Sequence, residues 1–417
     1  MDTTLSMAEP RRLERWARCL AFSLLSGLKE AGLTVLEGTE RFEFGERDAE
    51  LQASIRVFEP RFYRQLMTGG SIGAAESWVE GGWHSTDLTS VIRLFARNIE
   101  VLDRLERRLG WLTLPWHRLR HRGNRNSRAG SRANIAAHYD LGNEMYALFL
   151  DPLMQYSSAV FPTPDASLEQ AQQHKLRLIC ERLELSADDH LLEIGTGWGG
   201  LACFAAKHYG CRVTTTTLSR AQLEHARQRV EREGLGERVT LLLEDYRDLR
   251  GRFDKLVSVE MIEAVGHEYL PVYFQSLNRL LRPRGRMLIQ AITIADQRYD
   301  QYRKGVDFIQ RYIFPGGCLP SVSEMCRHLK EQTDMTLTRL HDHGLHYAET
   351  LRIWAERFHR VEPTLRALGY GQDFHRLWAF YFAYCEGGFR EGTIGLVHFE
   401  AAKPGARACP DGNGLSC

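Results

Sequence analysis

The chain has 417 residues, too many for one ordinary compact domain, and its 43% hydrophobic and 26% charged content is that of a globular protein with a real core. A formal net charge of +1 excludes global attraction to nucleic acid or membrane, so any electrostatic partner must be read by a local patch. Nine scattered cysteines, an odd number with no CxxC pair, argue against a disulfide framework or a zinc site and for a reducing compartment. At the N-terminus, Arg11, Arg12, Arg15 and Arg18 precede a short apolar run, Cys19 to Leu25, with no small-residue cleavage site after it. No signal peptide is expected, nor any membrane span, since no stretch approaches the roughly 18 apolar residues one needs. The expectation is a cytoplasmic protein that meets any membrane from its inner face.

Three regions separate by texture. Residues 1–115 read as a small α+β domain, with strands near Leu33–Phe44 and Ala53–Val57 and a helix over Leu88–Leu109. Residues 104–132 are basic, carrying nine arginines against the single acid Glu106, and 116–132 read as a linker. That segment is either a solvated connector or an arm for anionic lipid headgroups, where each basic residue contributes on the order of 1 kcal/mol. Residues 133–403 alternate helix and strand signals, which predicts a parallel α/β sheet. Ser167-Leu168-Glu169-Gln170 is a capping box opening a helix whose apolar face is Leu168, Ala171, Leu176, Ile179 and Leu183. Strands are expected at His190–Ile194, Cys211–Thr217, Lys255–Val259 and Arg286–Thr293, with a further one ending at Leu243-Glu244-Asp245-Tyr246. Residues 404–417 read as a disordered tail.

Between the first strand and a helix at Leu201–Tyr209 lies Glu193-Ile194-Gly195-Thr196-Gly197-Trp198-Gly199-Gly200. Such glycines let a chain turn tightly and let a ligand approach the backbone, but the string alone fits a dinucleotide, a turn, or S-adenosylmethionine (SAM). An acid before the glycines (Glu193), no acid at the end of the second strand, which runs Thr217-Leu218-Ser219-Arg220-Ala221-Gln222, and Asp245-Tyr246 after a later strand favour SAM.

Several motifs in order then carry a specific resemblance: His138-Tyr139-Asp140-Leu141-Gly142-Asn143, Met154-Gln155-Tyr156-Ser157-Ser158-Ala159, the glycine loop, Glu263-Ala264-Val265-Gly266, Tyr312-Ile313-Phe314-Pro315-Gly316-Gly317, and Cys385-Glu386-Gly387-Gly388. Over about 133–400 the chain resembles cyclopropane-fatty-acyl-phospholipid synthases. The resemblance implies a class I (Rossmann-like) SAM-methyltransferase catalytic domain beside the smaller N-terminal domain. It implies transfer of the SAM methyl carbon to the cis double bond of an unsaturated phospholipid acyl chain, with ring closure. It further implies a bound bicarbonate as base, held by Glu263, Tyr347, the backbone of Ser158 and Ile292, and the Gln290 side chain, with Glu263 receiving the proton. For SAM it implies Tyr156, Ser157, Glu193, Gly195, Gly197, Trp198, Gly199, Thr217, Gln222, Asp245 and Tyr246. Cys385 lies in a motif that has been read as nucleophilic, although SAM already supplies an activated carbon and packing explains the residue as well. Serine at 158, alanine at 264 and glutamine at 290 stand where the family often has cysteine, histidine and histidine. Glutamine still donates but cannot titrate. These departures leave a methyl-branched or methylene product open. An RNA methyltransferase using the arginine-rich arm, and a non-catalytic lipid carrier, are the other readings. No metal is expected, His341, His343 and His346 notwithstanding. A homodimer is the family-based expectation.

Overall fold

The computed structural model describes residues 11–99 and 142–406. The basic segment 104–132, the motif residues His138–Leu141 and most of the expected tail lie outside these. The chain divides into two compact units. Within the described residues, the first takes 11–99, 304–313 and 351–393, and the second takes 142–303, 314–350 and 394–406.

In the first unit, helix α1 (Arg12–Leu25) contains the apolar run of the N-terminus and buries Ala17, Ala21 and Leu25, four residues apart. A hairpin follows, β1 (Gly32–Glu37) and β2 (Glu40–Gly45), so the single expected strand region is two strands turned at Gly38, where φ is 56°. Strand β3 (Gln52–Val57) runs parallel to β1, and β4 (Trp83–His84) closes a sheet of order β2-β1-β3-β4. Helix α2 (Arg61–Val79) breaks at Gly70, and α3 (Leu88–Arg97) is N-capped by Asp87, whose carboxylate accepts from the Ser90 N–H at 2.9 Å. The expected helix to Leu109 instead ends at Arg97 with Asn98 as its C-cap, and residues 100–109 lie outside the described residues.

The linear division at 133–403 is not how the chain packs. Helix Gln372–Arg390 returns to this first unit and packs on α3. Glu391, just past that helix, accepts from Arg93 at 2.7 Å and Arg97 at 3.0 Å, and Glu386 accepts from Thr89 at 3.1 Å. Gly387 faces Ile92 so closely that an added Cβ would sit 2.7 Å from its Cγ2.

The second unit is built on a seven-stranded sheet: β5 (His190–Ile194), β6 (Arg212–Thr216), β7 (Val239–Leu242), β8 (Phe253–Val259), β9 (Leu281–Ile294), β10 (Thr336–Asp342) and β11 (Ile394–Ala402). The order is β10-β11-β9-β8-β5-β6-β7, with β11 antiparallel to both its neighbours and the rest in one direction. Strand alternation sends Leu191, Val257 and Leu288 to one cluster with Leu176, Ile179 and Leu183 of the capped helix Leu168–Arg182. Their neighbours Leu192, Leu256, Met287 and Ile289 pack with Phe274, Leu277 and Leu280 on the other face. This is a three-layer α/β sandwich. After β5 the chain moves out through β6 and β7, then crosses back to β8. The crevice at the carboxyl ends of β5 and β8 is therefore the topological switch point, where open α/β sheets bind ligands.

Candidate active site

Strand β5 delivers Glu193 and the glycine loop to that crevice. Gly195, Gly197 and Gly199 have φ of 108°, 51° and 82°, in the region L side chains avoid. An added Cβ at Gly197 would meet nothing within 4 Å, so space is left there for a ligand to approach the main chain. Trp198 is buried and donates from Nε1 to Asn143 Oδ1 at 2.8 Å, fixing the loop from outside. Glu193 is buried with one oxygen, Oε2, lacking a protein partner. Burial pushes its carboxyl up to about 8, against the opposing effects of the Thr215 hydrogen bond and the charge of Lys175.

The remaining expected cofactor residues gather on the same unit. Thr217 directly follows β6 and donates to Gln222 Oε1 at 3.0 Å, tying the turn to the next helix. Asp245, after β7, is held bidentately by Arg247, at 2.7 Å from Nε and 2.6 Å from Nη2, while Tyr246 packs edge-on against Tyr273. Tyr156 packs on Tyr146 and Phe314. Ser157 Oγ accepts from Lys175 Nζ at 2.8 Å. The positive-φ loop, the open space at Gly197 and the orphaned Glu193 oxygen fit a bound SAM.

Strand β8 delivers the second half of the crevice. Directly after it stands Glu260 at φ 48°, a left-handed conformation that costs a side-chain-bearing residue on the order of 1–2 kcal/mol. Three residues on, in a 3₁₀ turn, stands Glu263. Ser158, Gln290 and Tyr347 do converge, and they converge on Glu260. Its Oε1 accepts from the Ser158 N–H at 2.8 Å and from Gln290 Nε2 at 2.7 Å, and its Oε2 accepts from the Tyr347 hydroxyl at 2.7 Å. The Ile292 N–H donates to Glu263 Oε1 at 2.5 Å, and Glu263 Oε2 is buried without a partner.

The orientation of Gln290 follows from its neighbours. Arg182 can only donate, and its Nη1 lies 3.4 Å from His398 Nδ1, so that nitrogen accepts. His398 is buried, and desolvation together with the charges of His343, Arg182 and Lys175 pushes it far down, so it is neutral and carries its proton on Nε2. Nε2–H then donates to Gln290 Oε1 at 2.9 Å, which turns the Gln290 amide N–H groups toward Glu260 and the Ser158 carbonyl. Register places His398 directly opposite Gln290 across β11 and β9, so the pairing is set by the sheet.

The two carboxyls differ. Glu263 is pushed up to about 8 by burial and by the charge of Glu260. Burial also raises Glu260, but three donors and the nearby Lys175 favour its anion. Burial thus raises both carboxyls, while three donors and Lys175 oppose the rise at Glu260 and the charge of Glu260 adds to it at Glu263. Lys175 is fully buried, and desolvation lowers it to about 8 against the attraction of Glu260, Asp151 and Glu193.

The expected bicarbonate has no free cradle here. Three of its expected donors are engaged by Glu260, because a carboxylate tethered at the strand end presents the same planar oxygen pair. Cys385 lies instead in the first unit, on helix Gln372–Arg390, where burial and the charge of Asp307 push its thiol up, away from nucleophilic ionisation. His341, His343 and His346 pack as neighbouring rings, and a different trio, His359, Glu362 and His375, brings its ligand atoms within 4.8 Å of one another in the first unit. Sequence reasoning passed over Glu260, Lys175 and His398. Lys175 carried a signal: it sits four residues from both Ala171 and Ile179, on the apolar stripe of its helix.

Residues 126–399 match the family described as mycolic acid cyclopropane synthetase. The chain is 41% identical over 349 residues to tuberculostearic acid methyltransferase UfaA1 of Mycobacterium tuberculosis, covering 82% of this chain and 81% of that one. It is 38% identical over 356 residues to cyclopropane-fatty-acyl-phospholipid synthase of Escherichia coli K12, covering 82% and 86%. Mycolic acid cyclopropane synthase CmaA1, solved with SAH and CTAB, superposes with a TM-score of 0.61 at 31% identity, over 65% of this chain and 98% of that one. The sheet order, the glycine loop at the switch point and these likenesses together make this chain a SAM-dependent methyltransferase of the class I fold, and a member of the mycolic acid cyclopropane synthetase family.

Proposed function

We propose that this enzyme transfers the SAM methyl carbon to the cis double bond of an unsaturated phospholipid acyl chain and closes a cyclopropane ring. The observation that carries the reading is the part-buried carboxyl pair just after β8, at the same end of the sheet as the glycine loop of β5, where Met261 between the two carboxyls lies against Gly195. The chemistry needs the alkene in line with the activated methyl, and a cation shielded from water until a proton leaves. Aromatic faces lining such a site would stabilise the cation by roughly 0.5–2 kcal/mol each, and Tyr156, which packs on Tyr146 and Phe314, is the candidate on this unit. The Escherichia coli relative bears the name of this activity on phospholipids. No helix among the described residues is long and apolar enough to cross a membrane.

A second reading is favoured by Gln290, which cannot titrate, and by the name of the 41% identical relative, a methyltransferase. In it, the cation loses a proton without closing the ring and leaves a methylene or, where the proton leaves a chain carbon, a methyl-branched alkene. One experiment separates the two. Full-length protein is incubated with trideuteromethyl SAM and vesicles of monounsaturated phospholipid, and the released fatty acids are read by mass spectrometry and proton NMR. One added carbon, two retained deuterons and upfield ring methine signals are expected. Vinyl or methyl-branch signals select the second reading. SAM binding without any lipid product overturns both and moves the test to RNA.

A further inference from the structure

We propose that Glu260 is the enzyme's own base: its carboxylate stands in for bicarbonate and takes the proton lost from the added methyl. This rests on the alkene chemistry proposed above and holds for ring closure and for the methylene product, in both of which the added methyl gives up the proton.

Three observations point there independently. The first is geometric. Ser158 N–H, Gln290 Nε2 and the Tyr347 hydroxyl would each donate to a free anion, and all three instead close on Glu260 within 2.8 Å. A carboxylate offers about four acceptor positions, and these three bonds leave one on Oε2 for an incoming proton. The second is backbone strain. Glu260 has a φ of 48°, where glycine would sit freely, so the fold tolerates an unfavourable conformation to hold a side chain at this point. The third is support from behind. His398 and Arg182 fix the Gln290 amide with its N–H groups toward Glu260. Buried Lys175 stabilises negative charge there, and Glu263 holds the neutral form beside it.

The step balances without a further reagent. The alkene π pair forms a bond to the methyl carbon while the sulfur–carbon bond breaks and leaves its pair on sulfur. A C–H bond of the added methyl then breaks. Its electron pair closes the ring, or forms a methylene after a hydride shift, and the proton passes to Glu260, which later releases it to water. Because Glu260 touches the leaving proton, it is a catalytic residue, while Gln290, Tyr347 and His398 position it.

The test uses the full chain as wild type, Glu260→Gln and Glu260→Gly, with two readouts. One is turnover on monounsaturated phospholipid vesicles in buffer stripped of carbon dioxide. The other is binding of carbon-13 bicarbonate, followed by line broadening, which needs no turnover. Wild type is expected to turn over at its full rate without bicarbonate and not to bind it. Glu260→Gln keeps the size and hydrogen bonds of the side chain but not its basicity, and should lose on the order of a hundredfold or more in turnover with SAM affinity little changed. Glu260→Gly relieves the strained φ and empties the cradle. It should bind bicarbonate and regain turnover, roughly tenfold or more, when bicarbonate or formate is added. Bicarbonate binding by wild type, full activity of Glu260→Gln, or failure of the glycine variant to bind bicarbonate each overturns the proposal. If wild type leaves the lipid unchanged, the lipid reading fails, and the binding readout still decides whether Glu260 fills the bicarbonate site.

Discussion

At the scale of single residues, the site is a problem of placing one proton and one charge between two carboxyls. Glu263 has one described donor, from Ile292, and an orphaned oxygen, while Glu260 has three donors. The rise at Glu263 has a consequence for stability. Glu263 titrates near 8 in the folded protein, above its ordinary 4.5, because burial and Glu260 disfavour its anion. Between those values the native state binds more protons than the unfolded chain, so stability falls as pH rises through the window and levels off above it. The slope is at most about 1.4 kcal/mol per pH unit for one such group. Glu263→Gln keeps a neutral acceptor for the Ile292 N–H and cannot ionise. Denaturant titrations at pH 5, 6.5 and 8 should show the wild type losing ground to this variant at each step. A constant difference across the three would mean that Glu263 is already ionised in the folded protein.

At the scale of elements, the parts of the site that were legible in the sequence are those whose local chemistry is self-contained. The capping box at Ser167 forms as read, the loop after β5 turns on its glycines, and β5 itself runs His190–Ile194. Glu260 was not legible, because a glutamate ending a strand reads as a surface acid until Ser158, Gln290 and Tyr347, far apart in the chain, are folded onto it. His398 was hidden for the same reason: its role depends on the pairing of β11 with β9. The glycine loop permits a sharp test of element against ligand. Gly197 has positive φ but open space, whereas a Cβ on Gly199 would press on Ala226 at 3.1 Å. Gly197→Ala should therefore cost stability only through its backbone, about 1–2 kcal/mol. It should weaken SAM binding by about tenfold or more, ~1.4 kcal/mol, because the methyl enters the ligand's space. Calorimetry with SAM beside thermal melts separates these. Unchanged SAM affinity would place the cofactor away from this loop.

At the scale of the whole molecule, the chain does not divide where its texture changes. Composition placed a boundary near residue 115–133, and texture cannot show that residues 304–313 and 351–393 fold back into the first unit. Within that unit, α3 buries Val91 and Leu94, packing on β3 and β1 of its own sequence region and, most extensively, on the helix Gln372–Arg390. Its cover is helix Gln372–Arg390, joined through the Glu391 pairs with Arg93 and Arg97 and the Glu386 contact to Thr89. Glu391 illustrates the coupling. Burial pushes its carboxyl up, and the hydrogen bonds from Arg97 and Arg93 outweigh that and hold it below its ordinary value, so the contact strengthens the fold at neutral pH and is lost in acid. A fragment ending near residue 99 keeps the four strands and three helices but leaves this face of α3 bare, and Arg93 and Arg97 lose Glu391, Arg97 keeping the Glu30 carbonyl at 3.2 Å. So small a domain buries too little to make up the loss. The isolated fragment should give poorly dispersed amide NMR spectra and no cooperative melt, whereas the intact chain melts cooperatively. A well-dispersed, cooperatively melting fragment would show that the first unit folds without its distant segments, and the N-terminal region could then act as a module by itself.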